Sequence, residues 1–218
     1  MATRRRLAGK AGAQISADVI APLTAVTFAE DFVSLFDGKS TAGWSPVGGK
    51  AGNWLVKDGL LITKGEGGGW LSTEKTYKDF VLKLEYKTES GGNSGVFLRA
   101  PHQGDPAYTG MEIQILDDDA DMYKNLKPYQ FCGSVYGVVA AKRGAIKPAG
   151  QWNSLEITAK GSKITVVLNG TTIVDADLKD HPDAASQHPG ILREDGYIGL
   201  QSHSDPVEFR NIQVKSLD

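Results

Sequence analysis

Between residue 30 and the carboxyl terminus, apolar residues recur with a period of two, and a period near 3.6 is never sustained. In FVLKLEYKT (80–88), Phe80, Leu82, Leu84 and Tyr86 fall on one face, and Lys83, Glu85 and Lys87 on the other. Two such runs are split by dipeptides that favour positive φ: Asp58-Gly59 after WLVK, and Asn169-Gly170 after KITVVL. Each reads as a two-residue hairpin. About a dozen short strands with turn signals between them, and no long helical pattern, specify an all-β chain. Hairpins near both ends and long crossing loops favour a jelly-roll β-sandwich of two antiparallel sheets over an up-and-down barrel. No fixed repeat is present, which argues against a propeller.

Bulk properties narrow the function classes. A formal charge of −2 over 218 residues gives no electrostatic case for nucleic acid or an anionic membrane. No apolar run is long enough to span a bilayer. The single cysteine, Cys132, excludes an intrachain disulfide and reads as a small buried residue. Residues 1–28 begin with Arg4, Arg5 and Arg6 but lack the continuous apolar stretch of an export signal. They read as a leader, a signal remnant or added residues, and 29–218 as one folded domain.

Two neighbouring segments depart from plain core strands. In SGVFLRA (94–100), alternation places Val96 and Leu98 together and Phe97 with Arg99 on the opposite face. In MEIQIL (111–116), Glu112 and Gln114 oppose Met111, Ile113 and Ile115. A guanidinium, a carboxyl and an amide on a sheet face beside glycines and aromatics suit a sugar, which offers hydroxyls to bind and an apolar ring face to stack. A solvated sheet face carries the same residue types, so the pattern alone fits both readings. Gln201 and His203, two apart, form a further pair on one face. The DDDAD run (117–121) invites a calcium reading but lacks the EF-hand spacing. Arg210 reads as paired with an acid, Gly133 to Val139 as a strand, and His102, His181 and His188 as loop residues.

Seven phrases in order carry a resemblance: SLFDGKSTAGW (34–44), YKDFVLKLEYK (77–87), GGNSGVFLRAP (91–101), TGMEIQILDD (109–118), PAGQWNSLEI (148–157), LNGTTIV (168–174) and GYIGLQSHSDPVEFRNIQVKSL (196–217). Together the chain resembles the 3-keto-disaccharide hydrolase family, which has a concanavalin-like or laminin-G-like jelly roll. The resemblance implies cleavage of glycosides whose sugar is oxidised at C3. It implies Glu112 as base or metal ligand, His203 as acid, base or metal ligand, and Arg99 as orienting or enolate-stabilising group. Gln114, Gln201, Asp117, Tyr136 and Lys142 follow as substrate contacts. A divalent metal ion (Mn, Ca or Zn) held by Glu112 and His203 is an implied cofactor, and a saccharide the implied partner. The family pattern has a His shortly after the LDD phrase, where this chain reads Asp117 to Met122 without one. The resemblance further implies a periplasmic or extracellular bacterial enzyme, whereas the sequence leaves the oligomeric state open. A carbohydrate-binding module using the same face without catalysis is the competing function. An ordinary retaining glucanase would need a second close carboxylate, which the strand pattern does not offer.

Overall fold

The computed structural model describes residues 31–217 together with Met1. The leader expected over residues 1–28 otherwise lies outside the described residues. Two antiparallel sheets stack into a β-sandwich. One has eight strands, in the order β11 (Thr171–Asp177), β10 (Lys163–Leu168), β9 (Asn153–Lys160), β6 (Phe80–Thr88), β13 (Val207–Ser216), β4 (Leu60–Thr63) and β3 (Trp54–Lys57), with β1 (Val33–Ser34) also paired to β13. The other runs β2 (Trp44–Val47), β5 (Trp70–Tyr77), β12 (Gly196–Gln201), β7 (Asn93–Ala100), β8 (Met111–Leu116). No helix among the described residues is long and apolar enough to cross a membrane.

Both hairpins form as the dipeptides dictate. Lys57 faces Leu60 across Asp58-Gly59, with φ of 53° and 78°, and Leu168 faces Thr171 across Asn169-Gly170, with φ of 51° and 82°. The alternation of β6 is complete, with Phe80, Leu82, Leu84, Tyr86 and Thr88 all buried. These residues meet Leu71, Val96, Leu98, Met111, Ile113, Ile198 and Leu200 of the smaller sheet in one continuous core. Trp152 is half-buried and covered by the guanidinium of Arg210, 3.9 Å from its ring centre. Arg210 also pairs with Glu85 at 2.5 Å, as expected. Residues 133–139 make only isolated bridges, Ile113 to Val135 and Val135 to Val139, rather than a strand. Gly133 and Gly137 in positive φ keep turning the chain there.

Arg99 overturns one expectation. Its φ is 49°, and β7 carries one extra residue there: Phe97 faces Gly199 and Ala100 faces Tyr197. This bulge breaks the alternation. The Arg99 side chain therefore leaves the face shared by Phe97 and runs to the end of the sandwich, where it is 1% exposed. Its Nε donates to Lys78 O (2.8 Å), and Nη1 to Gly161 O (2.7 Å) and Arg193 O (3.1 Å), while Nη2 meets Asp79 Oδ1 at 3.1 Å. One guanidinium thus ties the β5–β6 turn, the β9–β10 turn and the loop before β12. Removing it strips donors from three carbonyls and leaves Asp79 without this buried partner. Arg99→Met is expected to destabilise the fold by about 3–5 kcal/mol, read from denaturant midpoints, and a loss below about 1 kcal/mol would contradict the role.

Candidate functional site

The site forms on the outer face of the five-stranded sheet. The register sets Phe97 opposite Glu112 and Gly95 opposite Gln114 between β7 and β8. Glu112 lies over Gly95, where an added Cβ would stand 2.1 Å from its Oε1. Only glycine leaves that space. The Gln114 amide nitrogen points towards Ser94 O and Glu112 Oε1, both at 3.2 Å, an orientation assigned from the surrounding donors and acceptors. Gln201 hydrogen-bonds the same carboxyl from β12, and its own Oε1 is buried without a partner.

Burial pushes the Glu112 carboxyl up to about 8, the neighbouring charge of Asp105 adds to this, and the hydrogen bond from Gln201 offsets part of it. A carboxyl with that affinity for protons is a strong base once ionised, and it titrates near neutral pH. It lines a cavity of about 230 Å³ together with Asn93, Asp105, Tyr108, Gln201 and His203. Gln114 and Tyr136 also reach this cavity.

Asp105 and Tyr108 are residues the sequence reading missed. Asp105 precedes α1 (Pro106–Thr109), a single turn between β7 and β8, and Tyr108 lies within it. Asp105 caps it by accepting from Ala107 N at 3.0 Å, with Pro106 at the first position. The Asp-Pro pair was the available signal. Tyr108 meets Tyr136 edge-on at 6.4 Å and stacks on His188 at 4.8 Å. Its phenol is raised by burial first, then by Tyr136, Asp105 and Glu112.

His203 follows β12 and is exposed at the cavity's edge. Its Nδ1 lies 2.9 Å from Ser204 Oγ, which donates to Asp205 Oδ2 at 2.8 Å. The hydroxyl therefore accepts from Nδ1–H and leaves Nε2 uncommitted in that network. The preceding residue holds the segment: buried Ser202 Oγ meets Asn53 Nδ2 (2.6 Å) and Thr63 Oγ1 (2.7 Å).

The structure thus brings Glu112, Gln114, Gln201, Tyr136 and His203 together and leaves three expected contacts elsewhere. Arg99 is the staple described above. Asp117 spends its carboxylate on Gly91 N at 2.8 Å and Asp119 N at 3.4 Å. Lys142 is exposed on a loop whose backbone bonds Ile173 and lines none of the cavity around Glu112. Asp118, beside them, accepts from Cys132 N and pairs with Arg143. Asp117 and Asp118 are therefore committed to neighbouring backbone and to Arg143. Cys132 is buried against Tyr86 Oη at 3.1 Å, and burial pushes its thiol up to about 12, which leaves no nucleophilic thiolate. His102 rests its Nε2 on Ser72 Oγ at 2.9 Å and stacks on Tyr197.

A metal ion was expected on Glu112 and His203. Among the described residues no three His, Cys, Asp or Glu side chains converge on one point. The donor set therefore does not make a built cation site, although both named residues border one cavity.

Comparison with known proteins places this geometry. A profile of the 3-keto-alpha-glucoside-1,2-lyase-like domain matches residues 31–215. A 3-keto-disaccharide hydrolase of Bacteroides thetaiotaomicron is 28% identical, over 87% of this chain and 80% of its own. The crystal structure of a candidate glycosyl hydrolase from Parabacteroides distasonis superposes with a TM-score of 0.75 at 28% identity, covering 86% of this chain and 94% of that one. A second from the same organism gives 0.69 at 32% identity, covering 80% and 99%. The two-sheet jelly-roll architecture is shared with these structures, and the chain belongs to the 3-keto-alpha-glucoside-1,2-lyase-like domain family.

Proposed function

We propose that this protein cleaves 3-keto-glycosides, among them 3-keto-disaccharides, by elimination followed by hydration. The observation that carries the reading is the Glu112 carboxyl, buried in a polar cavity with Asp105 on its border and raised to about 8. A ketone at C3 acidifies the hydrogen on C2. Glu112 as carboxylate takes that proton, and the C2–H electrons pass into the enolate. Collapse of the enolate forms the C1=C2 bond and breaks C1–O, and the leaving oxygen takes a proton from His203 or water. Water then adds its oxygen at C1 and gives a proton back to the group that protonated the leaving oxygen, and Glu112 returns its proton to C2, so the net change is hydrolysis. Hydroxyl and amide donors of Tyr108, Tyr136 and Asn93 border the same cavity and supply stabilisation for the enolate oxygen. No step is assigned to a metal ion.

The assay pairs a 3-keto-glucoside with its unoxidised parent, each with and without chelator. Release of the leaving group from the keto compound alone is the expected result. Binding without cleavage would transfer the site to the carbohydrate-binding reading. Glu112→Gln is expected to lower kcat by about 10²–10⁴-fold with little change in KM. Because the base must be ionised, kcat/KM should rise about tenfold per pH unit below pH 8 and level off above it.

The same carboxyl sets a stability signature. Its folded value, about 8, lies above the ordinary 4.5, so between these the folded state holds more protons than the unfolded one. Stability is then full below pH 4.5, falls as pH rises, and has lost this contribution above pH 8. Glu112→Gln removes the effect. The variant should gain on the parent progressively from pH 4.5 towards 8, by on the order of 3 kcal/mol at pH 7. A gap in unfolding free energy that stays flat across this range would mean that Glu112 titrates normally.

A further inference from the structure

The polar cavity continues past Gln201. Across Asp105, Gln201 and His203, which border both spaces, it adjoins a second cavity of about 320 Å³. The chemistry changes at that boundary. The second cavity is walled by Trp70 and Phe97, whose rings meet edge to face at 5.6 Å and 83°. Gly199 makes this possible, since a Cβ there would lie 2.2 Å from the Trp70 ring. His102 packs edge-on against Trp70 at 5.7 Å and is itself stacked on Tyr197 at 3.9 Å. Trp70, Phe97, Ala100 and Ala107 form an apolar cluster apart from the main core, on the sheet's outer face. That face of an antiparallel sheet is ordinarily the polar one.

Glu112 borders the first cavity and not the second. In the elimination proposed above, on which this step rests, Glu112 must reach the hydrogen on C2, so the oxidised ring occupies the polar cavity. C1 is the next atom, and the leaving group departs from it. We infer that the Trp70–Phe97 cavity is the leaving-group subsite and that it selects cyclic leaving groups with an apolar face, such as a second pyranose ring. The scissile oxygen then lies at the boundary, beside His203 and Asp105. Trp70 and Phe97 are 4% and 2% exposed, so they present a small but rigid apolar surface, on which the C–H face of a pyranose or cycloalkyl ring packs with little ordering cost.

Methyl and cyclohexylmethyl 3-keto-glucosides, in both anomers, test the assignment. Their leaving alcohols are both primary alkanols, so a preference reports contact rather than leaving-group acidity. The expected kcat/KM for the cyclohexylmethyl compound exceeds that of the methyl compound by about tenfold or more. In Trp70→Leu, checked for retained thermal unfolding, that ratio should fall towards one. Equal rates in the parent protein would overturn the subsite whatever the variant's stability, and so would a ratio that survives in a folded variant. Cleavage of the methyl compound with no preference removes the subsite alone. Failure to cleave either compound removes the elimination reading and this inference with it.

Discussion

A carboxyl group pressed onto a glycine governs the site. Glu112 sits over Gly95 because the β7–β8 ladder pairs Val96 with Ile113 and Leu98 with Met111 on the inner face. Those four apolar side chains are at most 1% exposed. A slip of β8 by one residue would turn Met111 and Ile113 outward and carry Glu112 into the core. The residues that fix Glu112 are therefore ones with no chemistry of their own. Burial without a cationic partner is costly for an ionised carboxyl, and two amide donors compensate only part of it. The raised proton affinity is the residue of that imbalance, and it suits removal of a weakly acidic C–H.

The opposite border of the site is held by different means. Beyond β12 the chain must leave the sheet yet keep Gln201 and His203 in place. Buried Ser202 does this through Asn53 and Thr63, which belong to the β3–β4 side of the other sheet. Ser94 Oγ adds a bond to Gln201 O at 2.8 Å. On the far side, the loop behind α1 packs so closely that a Cβ on Gly190 would stand 1.8 Å from Gly110 O. His188 from that loop stacks on Tyr108. Gln201 and Tyr108 are thus each backed by a contact from an element distant in sequence.

Those long-range contacts mark where sequence reading succeeds and where it stops. Period two and the two Xaa-Gly turns are local properties, so β6 and both hairpins are legible in the order of residues itself. Glu112 and Gln114 are legible for the same reason, as outward positions of one regular strand. Arg99 is misplaced by alternation because a single bulge reverses its face, and nothing in SGVFLRA announces that φ. Asp105 escapes notice because a capping aspartate and a charge beside a buried carboxyl look identical in one dimension. Only the fold brings the loop back over β8, where the carboxylate acts on Glu112 as well as on Ala107 N.

The aromatic cluster and the base are coupled through one residue. Phe97 lies directly opposite Glu112 in the ladder, and its ring also meets Trp70 across Gly199. Phe97 is thus the cross-strand neighbour of Glu112 and also helps wall the second cavity. Desolvation is the largest cause of the raised Glu112 value. The apolar cavity wall and the burial of Glu112 then share one neighbouring residue. A polar residue at position 97 would wet the apolar cavity and ease ionisation of Glu112 together. That linkage accounts for an apolar cluster on a sheet face that would otherwise be left to solvent.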